Sequence, residues 1–225
     1  MDETTAGALR PGELEARERD SALEREAARG AYWTGSRLFV ALSAMLFGSG
    51  AFAYFYLHSL DNNTLWRSPG QRPSDFISIP VLALVGVGAS LFWLYTWSLQ
   101  SGRRQTNSAD WRVACGVSAA LFLAAGLLQL WGMTRTGFAP GSSGYASLYV
   151  AIMPVFAVYC LGTAYWLETL LARSLRVRWV LATDGPNRDS PAQLAFFGSA
   201  LGAKVFVVFV ALVAATLFVF FSVIN

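Results

Sequence analysis

The chain has 225 residues, of which 55% are hydrophobic and only 14% are charged. So low a charged fraction is atypical of a soluble domain and favours a membrane protein. The formal net charge of +3 is therefore interpreted as basic loops facing anionic lipid headgroups, and we expect no nucleic acid among the partners.

Residues 1–36 predict a charged cytoplasmic segment that contains one helix. The helix is predicted over 12–29, because Pro11 stands near its start and Gly30 at its end. The segment has no apolar stretch of the kind that a secretory signal needs, so we expect the first span itself to start membrane insertion.

Five apolar runs follow, each long enough to cross a hydrocarbon core of ~30 Å, which takes ~20 helical residues. The predicted spans are about 38–60, 77–100, 111–133, 145–172 and 200–223. The predicted fold is an all-α, polytopic membrane protein, with a five-transmembrane-helix bundle over residues 37–225. Ser190 and Pro191 resemble an N-cap and a first helical residue, so the last helix is predicted to start about ten residues before its span.

Arginine placement predicts the orientation of these spans. From the N-terminal segment to the C-terminal tail, the six segments outside the spans hold 6, 2, 3, 1, 4 and 0 arginines, where the third count includes Arg112 at the edge of the third span. Positive residues are retained on the cytoplasmic side, so the N-terminus is predicted inside and the C-terminus outside. This agrees with the odd number of spans, which requires the two termini to lie on opposite sides of the membrane.

One face of the first span carries small residues at intervals of 3, 4 and 3. They are Ala41, Ala44, Gly48 and Ala51. Such a face lets another helix approach closely, which drives association where lipid offers no hydrophobic contrast. We therefore predict a helix-packing face, filled by a helix of this chain or of a partner.

Polar residues near the span ends are candidates for contacts with lipid headgroups. They are Arg37, Trp66, Glu168, Arg173 and Lys204. Lys204 is predicted to snorkel to the cytoplasmic surface, and Glu168 to lie near the inner end of the fourth span. Gln129 is expected to form a hydrogen bond to another helix. An aromatic belt is also predicted at the span ends, formed by Trp66, Trp97, Trp111, Trp131 and Trp179.

The residues that bind metals in proteins are scarce. His58 is the only histidine, and Cys115 and Cys160 both lie in apolar runs, where cysteine usually serves as a small buried hydrophobe. One histidine and two isolated thiols do not make a haem or copper ligand set. With no nucleophile–base pair and no phosphate-binding loop, we expect no catalytic residue, no metal site and no cofactor in this chain.

Several short motifs resemble subunit III of haem–copper terminal oxidases, in its five-helix bacterial form. The first span has LSAMLF at 42–47 and FAYF at 52–55, where the family has approximately L-S-E-x-M-F-F-x-x-x-F-A-A-Y-F. The third span has Phe122, Gly126, Gln129 and Trp131 in place of F-x-x-x-G-x-x-Q-x-x-E-W. A Gly/Ser turn and SLY at 147–149 then match S-x-F-Y. The resemblance covers about residues 36–225.

Three departures from the family accompany this resemblance. The family's intramembrane glutamate falls at Ala44, and its two histidines fall at Val155 and Val158. The W-H-F-V-D start of its last span is replaced by LGAKV at 201–205. Helix lengths and aromatic residues are retained, whereas these polar positions are not.

The resemblance implies a non-catalytic accessory subunit of a respiratory oxidase (cytochrome c or quinol oxidase) in the bacterial cytoplasmic (inner) membrane. It would bind subunit I and phospholipid and support oxygen reduction and proton uptake, with haem and copper held by its partner subunits. The alternatives are a subunit-III-like partner of a nitric oxide reductase, a small membrane transporter and an assembly scaffold. An inverted repeat and a polar pathway would favour a transporter, and the sequence shows neither.

The predicted topology is testable by labelling single introduced cysteines in intact cells. A cysteine at position 104 should react only after the membrane is opened, whereas one at position 140 should react with an impermeant reagent from outside. Labelling of position 104 in sealed cells would contradict the orientation.

Overall fold

Helices make up nearly all of the part of the chain that the structure describes. The structure is a computed structural model and describes residues 11–60, 66–67, 71, 73–100, 109–184 and 191–224. The helices are α1 (Pro11–Ser59), α2 (Asp75–Gln100), α3 (Ala109–Arg135), α4 (Gly144–Asp184) and α5 (Pro191–Phe218), which continues into a π-helical turn, Val219–Val223. Each helix contains a segment long and apolar enough to cross a membrane: Trp33–Ser59, Asp75–Ser98, Ala109–Arg135, Gly144–Arg176 and Ala195–Val223. The predicted all-α fold with five membrane-spanning helices is confirmed.

Helices α2, α3, α4 and α5 form a closed ring, in which each helix packs against the next and α5 packs against α2. Helix α1 lies outside this ring, against α5 and α4. In its most apolar window only 11% of the residues are buried, compared with 33% to 44% in the other four spans. We call the end of the bundle with Ser59 and Gly144 the outer end and the opposite end the inner end, after the predicted orientation.

The predicted break between the charged segment and the first span is wrong. Helix α1 begins at Pro11 and runs through Gly30 without interruption for 49 residues. Glycine weakens a helix interior by only about 0.5–1 kcal/mol, and good helix formers surround it here. The part before Trp33 extends about 33 Å beyond the span, and the described side chains between 19 and 31 are all exposed. Residues 1–10 of the predicted segment lie outside the described residues.

The start of the last helix agrees with the prediction, because α5 begins at Pro191. Its proposed N-cap, Ser190, lies outside the described residues. The predicted turn between the third and fourth spans is also present, since Gly137 and Gly141 adopt φ angles of +63° and +86°. Only glycine visits this region freely, so these two residues permit the short connection between α3 and α4.

The ring is packed most closely where α3 meets α4. A Cβ atom at Gly126 would lie 2.9 Å from Cγ and Cδ2 of Leu161 and 3.2 Å from the carbonyl oxygen of Ala157. At the neighbouring contact between α2 and α3, a Cβ atom at Gly132 would lie 2.7 Å from Cγ2 of Ile77. Small residues thus bring the helix backbones together, as is usual in membrane bundles.

Two tryptophans of the predicted aromatic belt are instead core residues. Trp66 is 6% exposed and Trp111 is fully buried. Trp111 packs edge-on against Phe196, with ring centroids 5.5 Å apart, and its indole N–H donates a 3.4 Å hydrogen bond to Thr96. Its ring therefore joins α2, α3 and α5 at the inner end. Trp97 and Trp131 are exposed, as a belt requires, with 46% and 45% of their surfaces accessible.

Substitution of Gly126 by alanine should destabilise the bundle by about 1–3 kcal/mol, because the new methyl group overpacks the α3–α4 contact. The matched control is Gly86→Ala in α2, where an added Cβ meets no atom within 4 Å. This control should be neutral or slightly stabilising, since alanine favours the helix. Thermal unfolding of both variants in detergent is the measurement, and equal unfolding temperatures would contradict the close approach.

Candidate functional site

A groove between α1 and α5 is a candidate site in the described part of the chain. Its volume is about 280 Å³, and its lining is mostly apolar. The α1 wall runs from Ala44 to Tyr54 and includes Gly48, while Leu212 and Thr216 belong to the opposite wall on α5. Ten helical residues cover about 15 Å, which is half of a hydrocarbon core of ~30 Å. The groove therefore extends along one leaflet, the outer one in the predicted orientation.

The predicted helix-packing face lies along this groove. Ala41, Ala44 and Gly48 are exposed, and Ala51 is half-buried. A Cβ atom at Gly48 would meet no atom within 4 Å, whereas one at Gly50 would lie 2.7 Å from Cδ1 of Ile152. The prediction that this face packs closely against a helix of the same chain is thus wrong. The close contact with α4 is made by Gly50, which precedes Ala51 and does not belong to the face. Contact with a partner's helix stays a prediction.

On the inner side of the groove, polar and aromatic contacts attach α1 to the ring. The Tyr159 hydroxyl donates a 2.8 Å hydrogen bond to Ser43 Oγ, which in turn donates to the Phe39 carbonyl at 2.7 Å. The Phe47 ring meets Tyr159 edge-on, with centroids 5.1 Å apart. These contacts fix the distance between α1 and α4, so the groove has a rigid inner boundary.

On the outer side, two tyrosines bind the last turn of the chain. The Tyr54 hydroxyl donates to the Phe220 carbonyl at 2.8 Å, and the Tyr145 hydroxyl donates to the Phe221 carbonyl at 2.7 Å. Trp66 lies edge-on to both tyrosine rings, with centroids 5.1 and 5.9 Å away. The backbone N–H of Tyr145 also donates to the Trp66 carbonyl at 2.9 Å. The sequence analysis did not predict that Tyr54 and Tyr145 donate hydrogen bonds to this turn. Their positions near the ends of spans were the one feature that could have indicated it.

The five candidate headgroup contacts do not form one site. Trp66 lies in the core at the outer end, so the expectation that it contacts lipid headgroups is wrong. Arg37, Glu168 and Arg173 are exposed in the inner halves of the membrane-spanning segments of α1 and α4. The guanidinium of Arg37 lies 4.0 Å from the ring centroid of Trp33, a cation–π contact typical of surface sites. Their contact with lipid headgroups stays a prediction.

Lys204 lies on the α2 side of α5 and is half-buried. Its ammonium group is 5.0 Å from the centroid of the Trp93 ring, which stacks on Trp97 at 6.3 Å. Side chains on a helix lean toward its N-terminus, which for α5 is the inner end. The lysine thus leans toward the inner end with its ammonium group over the Trp93 ring, and its position at the membrane surface stays a prediction.

The residues with metal-binding chemistry are dispersed. Cys115 and Cys160 are free and buried, and the Cys115 thiol donates to the Leu167 carbonyl at 3.3 Å. His58 stacks on Tyr54, with centroids 6.1 Å apart. Within the described residues, no three of His, Cys, Asp and Glu are grouped so that they could hold a metal ion.

No protein-family model matches the sequence, and no curated protein matches it either. The resemblance to oxidase subunit III therefore depends on the motifs of the spans alone.

Removal of the Tyr145 hydroxyl should loosen the outer end. Tyr145→Phe deletes a buried hydrogen bond, so we expect a loss of about 0.5–1.5 kcal/mol of stability. Tyr165→Phe is the control, because Tyr165 is 69% exposed. Hydrogen exchange of residues 219–224 should accelerate in the first variant alone. Unchanged exchange there would contradict the role of Tyr145 in holding the last turn.

Proposed function

We propose that this chain is a non-catalytic accessory subunit of a respiratory haem–copper oxidase in a bacterial cytoplasmic membrane. In this role it binds the haem-bearing subunit I and phospholipid, while its partners hold haem and copper. The observation that carries the proposal is the small-residue face of α1, which stays exposed beside a groove instead of packing within the chain.

Exposure of small residues is the informative part of this surface. Exposed Leu, Met and Phe side chains on a spanning helix need no explanation, because lipid tails are as apolar as they are. A row of exposed Ala and Gly is different, since it gives up dispersion contacts with lipid and lets a second backbone approach closely. Ala41, Ala44 and Gly48 form such a row on a helix that the ring leaves outside.

The groove beside this row suits lipid better than it suits protein. A helix is about 10–12 Å across, so ten residues of one would need several times the 280 Å³ of the groove. A single acyl chain of the outer leaflet fits both the volume and the 15 Å length estimated above. A partner helix on the small-residue face would then cover the groove and retain the lipid beneath it.

The proposed role does not depend on proton chemistry in the first span. Ala44 stands where the family has a glutamate, and an alanine cannot hold a proton. Support of the oxidase by this chain would therefore come from packing and from lipid retention. Loss of the subunit should then shorten the lifetime of oxidase activity more than it lowers the initial rate.

The decisive experiment is purification of the tagged full chain from its native membrane in a mild detergent. We expect a haem protein to co-purify in a fixed ratio, seen by absorption spectroscopy and identified by mass spectrometry. Recovery of a nitric oxide reductase would support the alternative partner. Purification without any haem protein would overturn the proposal.

Two matched variants test which face binds the partner. Gly48→Leu fills the groove and blocks close approach to α1, whereas Gly86→Leu adds the same side chain at an open position of α2. Both variants should unfold at the wild-type temperature. Recovery of the haem protein and of bound phospholipid should fall for Gly48→Leu alone. Equal recovery of the haem protein with both variants would show that the partner does not bind the small-residue face, and equal recovery of phospholipid would show that the groove does not hold the lipid.

A further inference from the structure

A second, smaller cavity lies inside the ring near the outer end. It has a volume of about 30 Å³ and is lined by residues of α2, α3, α4, α5 and the π-helical turn. Its lining is apolar except for four polar side chains, which are those of Ser78, Gln129, Tyr149 and Ser222. We call it the polar chamber. Each of the four comes from a different element of the ring, with Ser222 in the π-helical turn.

The polar groups of the chamber are largely withdrawn from the surface. Gln129 is 5% exposed, and Tyr149 and Ser222 are each 4% exposed. Gln129 and Tyr149 both line the chamber, and the expected hydrogen bond from Gln129 to another helix stays a prediction. A glutamine amide has two N–H donors and a carbonyl with two lone pairs, so Gln129 can both donate to a water in the chamber and accept from it.

The volume and the chemistry of the chamber both suit water. A cavity needs roughly 10–15 Å³ of this volume to hold one water, which then requires two to four polar partners. None of the described residues that line the chamber is charged, so they offer nothing to balance a bound ion. The larger groove between α1 and α5 is mostly apolar, and the hydroxyls of Tyr54 and Thr216 in its lining donate to backbone carbonyls.

We infer that the polar chamber binds one ordered water molecule, held by Gln129 and Tyr149 and within reach of the hydroxyls of Ser78 and Ser222. The water links α2, α3, α4 and the last turn of the chain at one point. It adds hydrogen bonds to side chains that are buried in a part of the bundle where a bilayer supplies no solvent. This site is independent of the proposed function, since it needs neither a partner subunit nor a lipid.

Hydroxyl-radical labelling by X-ray radiolysis tests the site in the full chain, reconstituted in phosphatidylethanolamine–phosphatidylglycerol nanodiscs. Radicals form from water, so a buried side chain is oxidised only where a water lies beside it. Phe156 lines the chamber and is 2% exposed, whereas Phe122 is fully buried elsewhere in the ring. We expect oxidation of Phe156 and Tyr149 but not of Phe122. Oxidation of Phe156 no greater than that of Phe122 would show a dry chamber and overturn the inference.

A pair of variants on α3 tests which residue holds the water. Gln129→Leu should reduce oxidation of Phe156 to the level of Phe122, because the amide is lost and the chamber is filled. Ser118→Ala removes another buried hydroxyl of the same helix that does not line the chamber, and it should leave Phe156 oxidation unchanged. Persistent oxidation in folded Gln129→Leu would overturn the assignment to Gln129.

Rapid mixing with ¹⁸O-labelled water gives a second measurement on the wild type, which stands even if Gln129→Leu does not fold. The oxygen added to Phe156 should acquire the label more slowly than the oxygen added to exposed Tyr165. Equal rates would mean that the chamber is open to bulk water, which contradicts an ordered water.

Discussion

Satisfaction of the last carbonyl groups of the fifth helix is the constraint on which the outer end of the bundle depends. A helix leaves its final carbonyls without intrahelical donors, and a bilayer offers no water to replace them. Here the hydroxyls of Tyr54 and Tyr145 donate to the carbonyls of Phe220 and Phe221. Tyr54 belongs to α1 and Tyr145 to α4, so the first bond also attaches α1 to the ring and the second attaches α4 to the same π-helical turn.

Hydropathy and charge were sufficient to predict the fold class and all five spans, because a spanning helix must satisfy its backbone internally and be apolar for ~20 residues. Helix ends were less predictable. Gly30 suggests the end of a helix, but a glycine in a helix interior lowers stability by only about 0.5–1 kcal/mol. No proline follows it closely to end the helix. The π-helical turn at Val219–Val223 had no sequence signal, since its carbonyls are satisfied by tyrosines far away in the chain.

The candidate site shows a different limit of prediction from sequence. The 3, 4, 3 spacing of small residues correctly placed four residues on one face of α1, but spacing does not say what stands opposite that face. The answer depends on Ile152 of α4, which reaches Gly50 and holds α1 at a distance where Gly48 meets nothing. Trp66 and Trp111 illustrate the same point, because tryptophan near a span end suits either the interface or the core. Tertiary contacts decide between these outcomes.

The groove and the polar chamber differ in polarity and in the helices that they contact. The polar chamber lies within the ring, where four elements meet, so its contents stabilise the chain itself. The groove lies between the ring and α1, where tyrosine and aromatic contacts hold its two ends and leave its middle open. A molecule in the groove contacts the helix that is least buried in its own chain. The packing of α1 is therefore the part of this fold that a lipid or a partner subunit can change most, while the ring behind it stays intact.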